Sequence, residues 1–184
     1  MLCIRGAPML LSRDALVSAL FCETDRAQRM KTPLAVIYCG IDDWVRWLSQ
    51  LGEPGSDAAM HEIAGRITRL LRCYDSLGQI AGGEFALVLP GCNSFNAAKM
   101  SERMNIEVFR APVVAGNEQV QLAGCFGVAG SGGRSPFVVL RDAERALKNA
   151  RVRGAGSIER CATDAEPDPA MFLIPVIEDE ALRW

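Results

Sequence analysis

The sequence lacks the marks of several common kinds of protein. Its 184 residues contain one histidine, and its seven cysteines are scattered, odd in number and without a C-x-x-C pair, which argues against a zinc centre or a disulfide framework. The net charge of −2 gives no electrostatic reason to bind duplex nucleic acid or an anionic membrane. The apolar run 7–11 contains Pro8 and is soon broken by Arg13 and Asp14, so it predicts neither a signal peptide nor a membrane span. We therefore expect reduced thiols and a soluble, cytoplasmic protein.

Hydrophobic residues make up 49% of the chain, which is enough for the core of one compact domain. Apolar residues that recur every three or four positions predict helices, and Ser12 and Ser94 are placed to cap two of them. The predicted helices are 9–30, 57–72, 94–110 and 136–153, with a shorter helix or helical loop at 41–51 and a loop at 52–55. Short apolar runs predict strands at 34–39, 76–80, 85–89, 120–128 and 157–160.

The order of these elements predicts the fold class. Helices and strands follow one another as α-β-α-β-β-α-β-α-β, which is satisfied by one largely antiparallel sheet with helices packed on its faces. The result is an α/β (α+β) fold with a core close to the ferredoxin-like β-α-β-β-α-β unit. We assign residues 1–160 to this domain. Residues 161–184 hold an acidic, proline-containing linker and an apolar run at 171–177, which we expect to dock on the domain or on a protein partner.

The most specific stretch runs from Arg72 to Pro90. Two apolar runs are joined by the sequence AGGE at 81–84, which predicts a tight hairpin because only glycine takes positive φ without steric cost. The pair Arg72 and Asp75 precedes the turn, and Phe85 follows it. These residues resemble the signature hairpin of the GGDEF family, the diguanylate cyclases, in which Arg-x-x-Asp precedes a GG(D/E)EF turn at a fixed distance. The resemblance covers residues 10–157 and implies the nucleotidyl-cyclase-like fold of that family.

Members of the family join two GTP molecules into cyclic di-GMP with divalent metal held by two carboxylates. The resemblance places Gly40 and Gly83 at those two positions, and Leu48 where the family has a guanine-reading asparagine. Asp57 matches the guanine-binding aspartate, and Arg151 replaces a lysine that contacts phosphate. The resemblance therefore implies a vestigial pocket without metal or other cofactor, formed by Gly40, Leu48, Asp57, Gly82, Gly83, Glu84 and Arg151.

Neighbouring residues leave two interpretations open. Asp42, Asp43 or Glu84 could shift to hold a metal, although moving a ligand by one residue changes its direction as well as its distance. Alternatively, Asp42 and Asp43 cap the following helical turn and face water. We expect Trp44 and Trp47 to pack on or plug the pocket rather than stack on a base.

The resemblance also implies a second site, where the family binds its product. There, the Arg-x-x-Asp pair and an arginine from the following helix form an inhibitory site for cyclic di-GMP, and Arg72, Asp75 and Arg103 match it without a gap. An arginine fork suits the O6 and N7 acceptors of guanine, and a carboxylate suits its N–H donors. We expect Arg66 and Arg69 to lie within reach of the phosphates. In the alternative interpretation, Arg72 and Asp75 are only an exposed i, i+3 pair.

The leading hypothesis is a catalytically inactive GGDEF domain that acts as a cyclic di-GMP receptor or regulatory module. Ligand occupancy would change its contacts with a protein partner or a second copy. One alternative is an interaction domain that binds no nucleotide and uses its apolar C-terminal segment to complete a partner's sheet. Another alternative is a weak diguanylate cyclase with displaced metal ligands.

Overall fold

The computed structural model describes residues 10–116 and 118–161. The helices are α1 (Arg13–Met30), α2 (Trp44–Thr68), α3 (Ser94–Phe109) and α4 (Pro136–Arg153). The strands are β1 (Leu34–Ile41), β2 (Ser76–Ala81), β3 (Glu84–Pro90), β4 (Val113–Ala115), β5 (Glu118–Val120), β6 (Gly124–Gly130) and β7 (Ile158–Arg160). They form a five-stranded sheet in the order β2-β3-β1-β6-β7 and a separate β4-β5 pair.

Strand β1 is the centre of the sheet. It pairs antiparallel with β3 and with β6, while β7 extends the sheet parallel to β6. Every residue of β1 is buried, because α2 and α3 cover one face of the sheet while α1 and α4 cover the other. The order β2-β3-β1-β6 is that of the ferredoxin-like core, so the predicted α+β fold and the buried central strand are confirmed.

The second helix differs most from the prediction. The expected loop at 52–55 is wrong, because α2 continues from Trp44 to Thr68 through a kink at Gly52, where φ is 68° and ψ is 177°. Glycine takes this left-handed φ without steric cost, so the chain changes direction without leaving the helix for a loop. Pro54 follows within the first turn after the kink, where its missing N–H is tolerated. The helix also ends at Thr68, four residues before the predicted end at Arg72.

Two boundaries around α3 and β6 also need correction. Asn93, and not Ser94, caps α3, because its Oδ1 accepts the backbone N–H of Asn96 at 2.8 Å. The single strand expected at 120–128 is divided between β5 and β6, and β4 was not predicted. Between the two strands, Gln121 Nε2 donates to the backbone carbonyl of Phe109 at 2.5 Å, a contact with α3 that no local pattern signals.

Other boundaries follow the sequence closely. Ser12 caps α1 by accepting the N–H of Ala15 at 3.3 Å, and α4 runs from Pro136 to the predicted stop at Gly154. The described ranges contain six free cysteines, of which three are buried, whereas Cys22 and Cys73 are exposed. None of the helices that the structure describes is long and apolar enough to cross a bilayer. The linker at 164–169 and the apolar run at 171–177 lie outside the described residues.

Candidate functional site

A groove of about 480 Å³ opens beside the C-terminal end of α2, the end of β3 and one face of α3. Its walls include all three residues that the sequence predicts to bind cyclic di-GMP, Arg72, Asp75 and Arg103. Lys99 also borders it, together with Cys92. The structure therefore brings together one carboxylate and three cationic side chains that are separated by up to thirty-one positions in the chain.

Asp75 is fixed at the floor of a tight turn. Its Oδ2 accepts the backbone N–H of Arg72 at 2.8 Å, and its own N–H donates to the Arg72 carbonyl at 3.1 Å. The residue is only 8% exposed, and this burial raises the pKa of the Asp75 carboxyl above its ordinary value, while Arg72 opposes the rise through its N–H and its charge. The carboxylate thus stays directed by the main chain and does not depend on a mobile partner.

The guanidinium of Arg72 is held by a residue that the sequence analysis missed. Its Nη1 donates to Tyr74 Oη at 2.8 Å, and its Cζ lies 5.8 Å from the centre of the Tyr74 ring. This hydrogen bond raises the pKa of Arg72 further above its already high value. The exposed i, i+3 pair between Arg72 and Asp75 is therefore the wrong alternative, since the carboxylate binds the main chain and the guanidinium binds a neutral phenol.

The opposite wall comes from α3. Arg103 is exposed and pairs with Glu107, with 3.1 Å between Nε and Oε1. Lys99 lies one helical turn earlier, and its Nζ is 4.5 Å from the centre of the Phe95 ring. Residues four apart share a helix face, so this spacing from Arg103 is the sequence signal that could have identified Lys99.

The arginines expected to contact phosphates behave differently. Arg66 donates to the carbonyls of Val108, Ala111 and Pro112 at 2.8, 2.8 and 2.6 Å. It also pairs with Glu62, with 3.0 Å between Nε and Oε1. Its role is structural, because it ties α2 to the segment between α3 and β4, and the prediction of a phosphate contact is wrong for this residue. Arg69 is exposed and does not border the groove.

The second region lies at the other end of β3, where the sequence places the vestigial pocket. Gly40 pairs with Glu84 across β1 and β3. A side chain at position 40 would overlap Nη2 of Arg151, and its Cβ would lie 3.0 Å from Cζ of the same residue. Arg151 in turn pairs with Glu84, with 2.8 Å between Nη1 and Oε1. Glu84, the acid retained in the hairpin turn, is therefore neutralised by an arginine of the same domain.

The hairpin turn itself is closed by a tryptophan. Gly83 has a φ of 74°, in the left-handed region, and a Cβ added there would collide with Cγ of Trp44 and lie 2.8 Å from its Cβ. A Cβ at Gly82 would lie 3.0 Å from Nε1 of the same ring. Trp44 and Trp47 also pack against the core, in agreement with the expectation that they pack there rather than stack on a base.

Two acidic residues at this pocket are paired with arginines. Asp43 is the N-cap residue of α2 and is exposed, as expected, but its side chain makes no cap bond and lies 3.8 Å from Nη1 of Arg46. Over 10–116 and 118–161, no group of three or more histidine, cysteine, aspartate or glutamate side chains could hold a metal ion. A hard divalent cation needs several oxygen ligands, and Glu84 is already bound to a guanidinium.

The two positions at which the family contacts guanine, occupied here by Leu48 and Asp57, both lie on α2. Leu48 belongs to the segment before the kink at Gly52 and is 41% exposed, and Asp57 belongs to the segment after it and is also exposed. The carbonyl of Asp57 lies 2.9 Å from Nδ1 of His61. Leu48 offers no polar group to a base, so only Asp57 could contribute a hydrogen bond here.

Cys92 is the thiol closest to the groove chemistry, and burial raises its pKa to about 11. At that pKa the group is a thiol and not a thiolate at neutral pH, so it is a poor nucleophile. The groove is thus a recess lined by charged side chains, and the thiol at its border is unreactive.

Residues 8–157 match the family model described as diguanylate cyclase, GGDEF domain. The chain is 35% identical over 103 residues to the uncharacterized protein YhcK of Bacillus subtilis, covering 53% of this chain and 29% of that protein. It spans less than a third of the length of the first curated relatives that it matches.

Two solved structures share the fold. The GGDEF domain of YfiN from Pseudomonas aeruginosa is 24% identical, with a TM-score of 0.77 over 85% of this chain and 92% of that one. The GGDEF domain of DgcB from Caulobacter crescentus, solved in complex with c-di-GMP, is 21% identical, with a TM-score of 0.78 over 86% of this chain and 92% of that one.

Proposed function

Because the chain belongs to the GGDEF family of diguanylate cyclase domains, we propose that it is a cyclic di-GMP receptor without cyclase activity, with Arg72, Asp75 and Arg103 as its binding residues. The observation that carries the proposal is that these three side chains border one open groove. The volume of about 480 Å³ lies within the range of small-ligand sites, roughly 300–1,000 Å³. The complex of c-di-GMP with the DgcB domain, which shares this fold, adds support.

The chemistry of the groove suits a guanine nucleotide. An exposed guanidinium can donate two parallel hydrogen bonds to O6 and N7 of guanine, and the Asp75 carboxylate can accept from its N–H groups. Lys99 and Arg103, one helical turn apart on α3, offer positive charge to the phosphates. Arg72 gives up only a neutral phenol when it binds a ligand, so no buried ion pair has to be broken.

The geometry at the other end of β3 supports the proposed loss of cyclase activity. GTP cyclisation needs metal ions to neutralise the triphosphate. Positions 40 and 83 carry glycine, and the space beside them is taken by Arg151 and Trp44. The remaining acid, Glu84, is paired with Arg151, so the pocket supplies no pair of free carboxylates to a metal.

Isothermal titration calorimetry with cyclic di-GMP tests the binding site. We expect saturable heat with the wild-type chain and a weakening of roughly 30- to 150-fold in Arg72→Ala, because a hydrogen bond to a charged group contributes about 2–3 kcal/mol. Arg69→Ala is the matched control, since it removes an exposed arginine three residues away that does not border the groove. Equal heats for Arg72→Ala and the wild type, or no heat from either, would reject the proposal.

A second assay separates the receptor from a weak cyclase. The chain is incubated with GTP and magnesium at high protein concentration, and the products are separated by chromatography. We expect no cyclic di-GMP to form. Product at a rate proportional to the protein concentration squared would show that displaced ligands support catalysis by paired domains. If calorimetry shows no heat with cyclic di-GMP and no product forms from GTP, an interaction domain that binds no nucleotide is favoured instead.

A further inference from the structure

Tyr74 lies in the chain between Arg72 and Asp75, the two residues that the proposed site takes from the turn before β2, but it does not border the groove. It is 50% exposed, and its hydroxyl accepts a hydrogen bond from Nη1 of Arg72 at 2.8 Å. Arg72 is exposed and does border the groove. The guanidinium that the proposed function assigns to guanine is therefore bound, in this structure, to a residue outside the groove.

The main chain of this turn is fixed, so only the Arg72 side chain has to move when a ligand enters. The Asp75 carboxylate accepts the backbone N–H of Arg72 at 2.8 Å, and the N–H of Asp75 donates to the Arg72 carbonyl at 3.1 Å. Both bonds involve the backbone of Arg72 and not its guanidinium. The guanidinium can therefore take two arrangements, bound to Tyr74 or released to the groove, while the rest of the site stays unchanged.

The shape of the guanidinium makes these two arrangements exclusive. The group is planar, and its N–H donors keep fixed directions relative to one another. Recognition of guanine by two parallel hydrogen bonds requires that plane to be aligned with O6 and N7. The bond from Nη1 to Tyr74 directs the plane towards a residue outside the groove. The Tyr74 hydroxyl and a guanine base thus compete for the orientation of one side chain.

The opposite wall of the groove contains a similar contact without this competition. Nζ of Lys99 lies 4.5 Å from the centre of the Phe95 ring, and Cζ of Arg72 lies 5.8 Å from the centre of the Tyr74 ring. Both rings attract a cation, but only the tyrosine also offers a hydroxyl oxygen as an acceptor. Removal of that oxygen would leave Arg72 with the kind of contact that Lys99 makes.

We propose that the Tyr74 hydroxyl is an intramolecular competitor that lowers the affinity of the groove for cyclic di-GMP, an inference that rests on the proposed function. A ligand binds through Arg72 only in the fraction of chains in which Tyr74 has released the guanidinium, so the apparent Kd exceeds the intrinsic Kd by the inverse of that fraction. One intramolecular hydrogen bond contributes a factor of roughly two to ten. Tyr74 thereby sets the ligand concentration at which the domain responds.

Calorimetry of Tyr74→Phe with cyclic di-GMP tests the competition, because phenylalanine keeps the ring and removes only the hydroxyl. We expect binding roughly two- to tenfold tighter than in the wild type. The gain should be the same at low and high salt, since the phenol is neutral. In the Arg72→Ala background the same substitution should leave the weaker affinity unchanged, because no guanidinium is left to release.

Each other result contradicts the competition. Affinity in Tyr74→Phe that equals or falls below that of the wild type would overturn it, and a fall would show that the phenol holds Arg72 ready for the ligand. An equal gain in the Arg72→Ala background would also overturn it, since the hydroxyl would then act on another group. Failure of the proposed function is a different result, in which Arg72→Ala binds as the wild type does or no chain gives heat, and the competition is then rejected with it.

Discussion

Charged residues lie at both ends of strand β3, but they are paired with each other at one end and border an open groove at the other. Glu84 begins the strand and is paired with Arg151, whereas Leu89 and Pro90 end it beside the open groove of Arg72. Seven residues of strand separate these regions by roughly 20 Å. At the first end Arg151 and Glu84 form an ion pair with each other. At the second end the charged groups face an open recess.

This contrast shows that a retained charged residue is not the same as a retained site. A ligand at the Arg151 end must first break an ion pair whose partners are both largely shielded from solvent, with side-chain exposures of 32% and 23%. A ligand at the Arg72 end displaces a neutral phenol, and Arg103 is held only by the half-exposed Glu107, a pair that solvent screens. The cost of freeing each arginine therefore favours a ligand at the Arg72 end over a ligand at the Arg151 end.

The strongest test restores the missing acids at the closed end. We expect Gly83→Asp to lower the free energy of unfolding by about 1–3 kcal/mol, because it combines a left-handed backbone with a collision against Trp44. Gly116→Asp is the matched control, since its φ of 67° is similar and no atom lies within 4 Å of the added Cβ. Urea unfolding measures both variants.

The double variant Gly40→Asp with Gly83→Asp should still form no cyclic di-GMP from GTP and magnesium. The new side chains at positions 40 and 83 meet Arg151 and Trp44, which must shift to admit them, so new carboxylates alone do not rebuild a metal site. Equal losses of stability in Gly83→Asp and Gly116→Asp would contradict the role of Trp44. Product formation by the double variant would contradict closure of the pocket.

A test of intermediate size uses the carboxylate of the open end. Asp75→Asn should weaken cyclic di-GMP binding by about tenfold, because the amide cannot accept two guanine N–H groups, while its oxygen can still accept the N–H of Arg72. Burial raises the pKa of Asp75, so protonation removes the carboxylate at a higher pH than for an ordinary aspartate.

Wild-type affinity should therefore fall as the pH is lowered from about 7 towards 4, whereas both arginines stay charged throughout. The folded state holds this proton more tightly than the unfolded chain does, so the contribution of Asp75 to the free energy of unfolding falls as the pH rises through its raised pKa. Calorimetry across this pH range is the measurement. A wild-type affinity that is independent of pH, or equal affinity in Asp75→Asn, would show that this carboxylate does not contact the ligand.

The smallest expected effect concerns Lys99. Replacement by alanine should weaken cyclic di-GMP binding roughly two- to fivefold at low salt and less at high salt, because an exposed charge contributes below about 1 kcal/mol and is screened. Lys148→Ala is the control, since this lysine pairs with Glu144 on α4 and does not border the groove. Equal weakening in both lysine variants would indicate a general charge effect and not a contact.

Local chemistry made much of the fold predictable. Pro136 and Gly154 mark both ends of α4, and the glycine pair marks the hairpin, since these residues act on the backbone where they stand. The kink at Gly52 was misinterpreted as a loop, because a glycine that permits a loop also permits a sharp turn between two helical segments. The pairing of β4 with β5 depends on residues that are close in space, and no strong sequence pattern predicts it.

The candidate site was partly predictable for a similar reason. The fixed spacing of the motif predicted that Arg72, Asp75 and Arg103 lie close together, and in the structure all three border one groove. Tyr74 and Lys99 were missed, although each lies within four residues of a predicted member. Arg66 was assigned to phosphate and instead binds three main-chain carbonyls, which only the packing of α2 against α3 and β4 explains.

The amino-acid sequence by itself determined helices α1, α3 and α4, the hairpin and the glycines at positions 40 and 83, because those properties belong to single residues and their near neighbours. The tertiary structure alone decided which arginines are available to a ligand. Arg66, Arg72, Arg103 and Arg151 carry the same charge, but their partners come from distant segments for Arg66 and Arg151 and from adjacent turns for Arg72 and Arg103. A guanidinium whose hydrogen bonds are satisfied by the folded core cannot also bind a nucleotide.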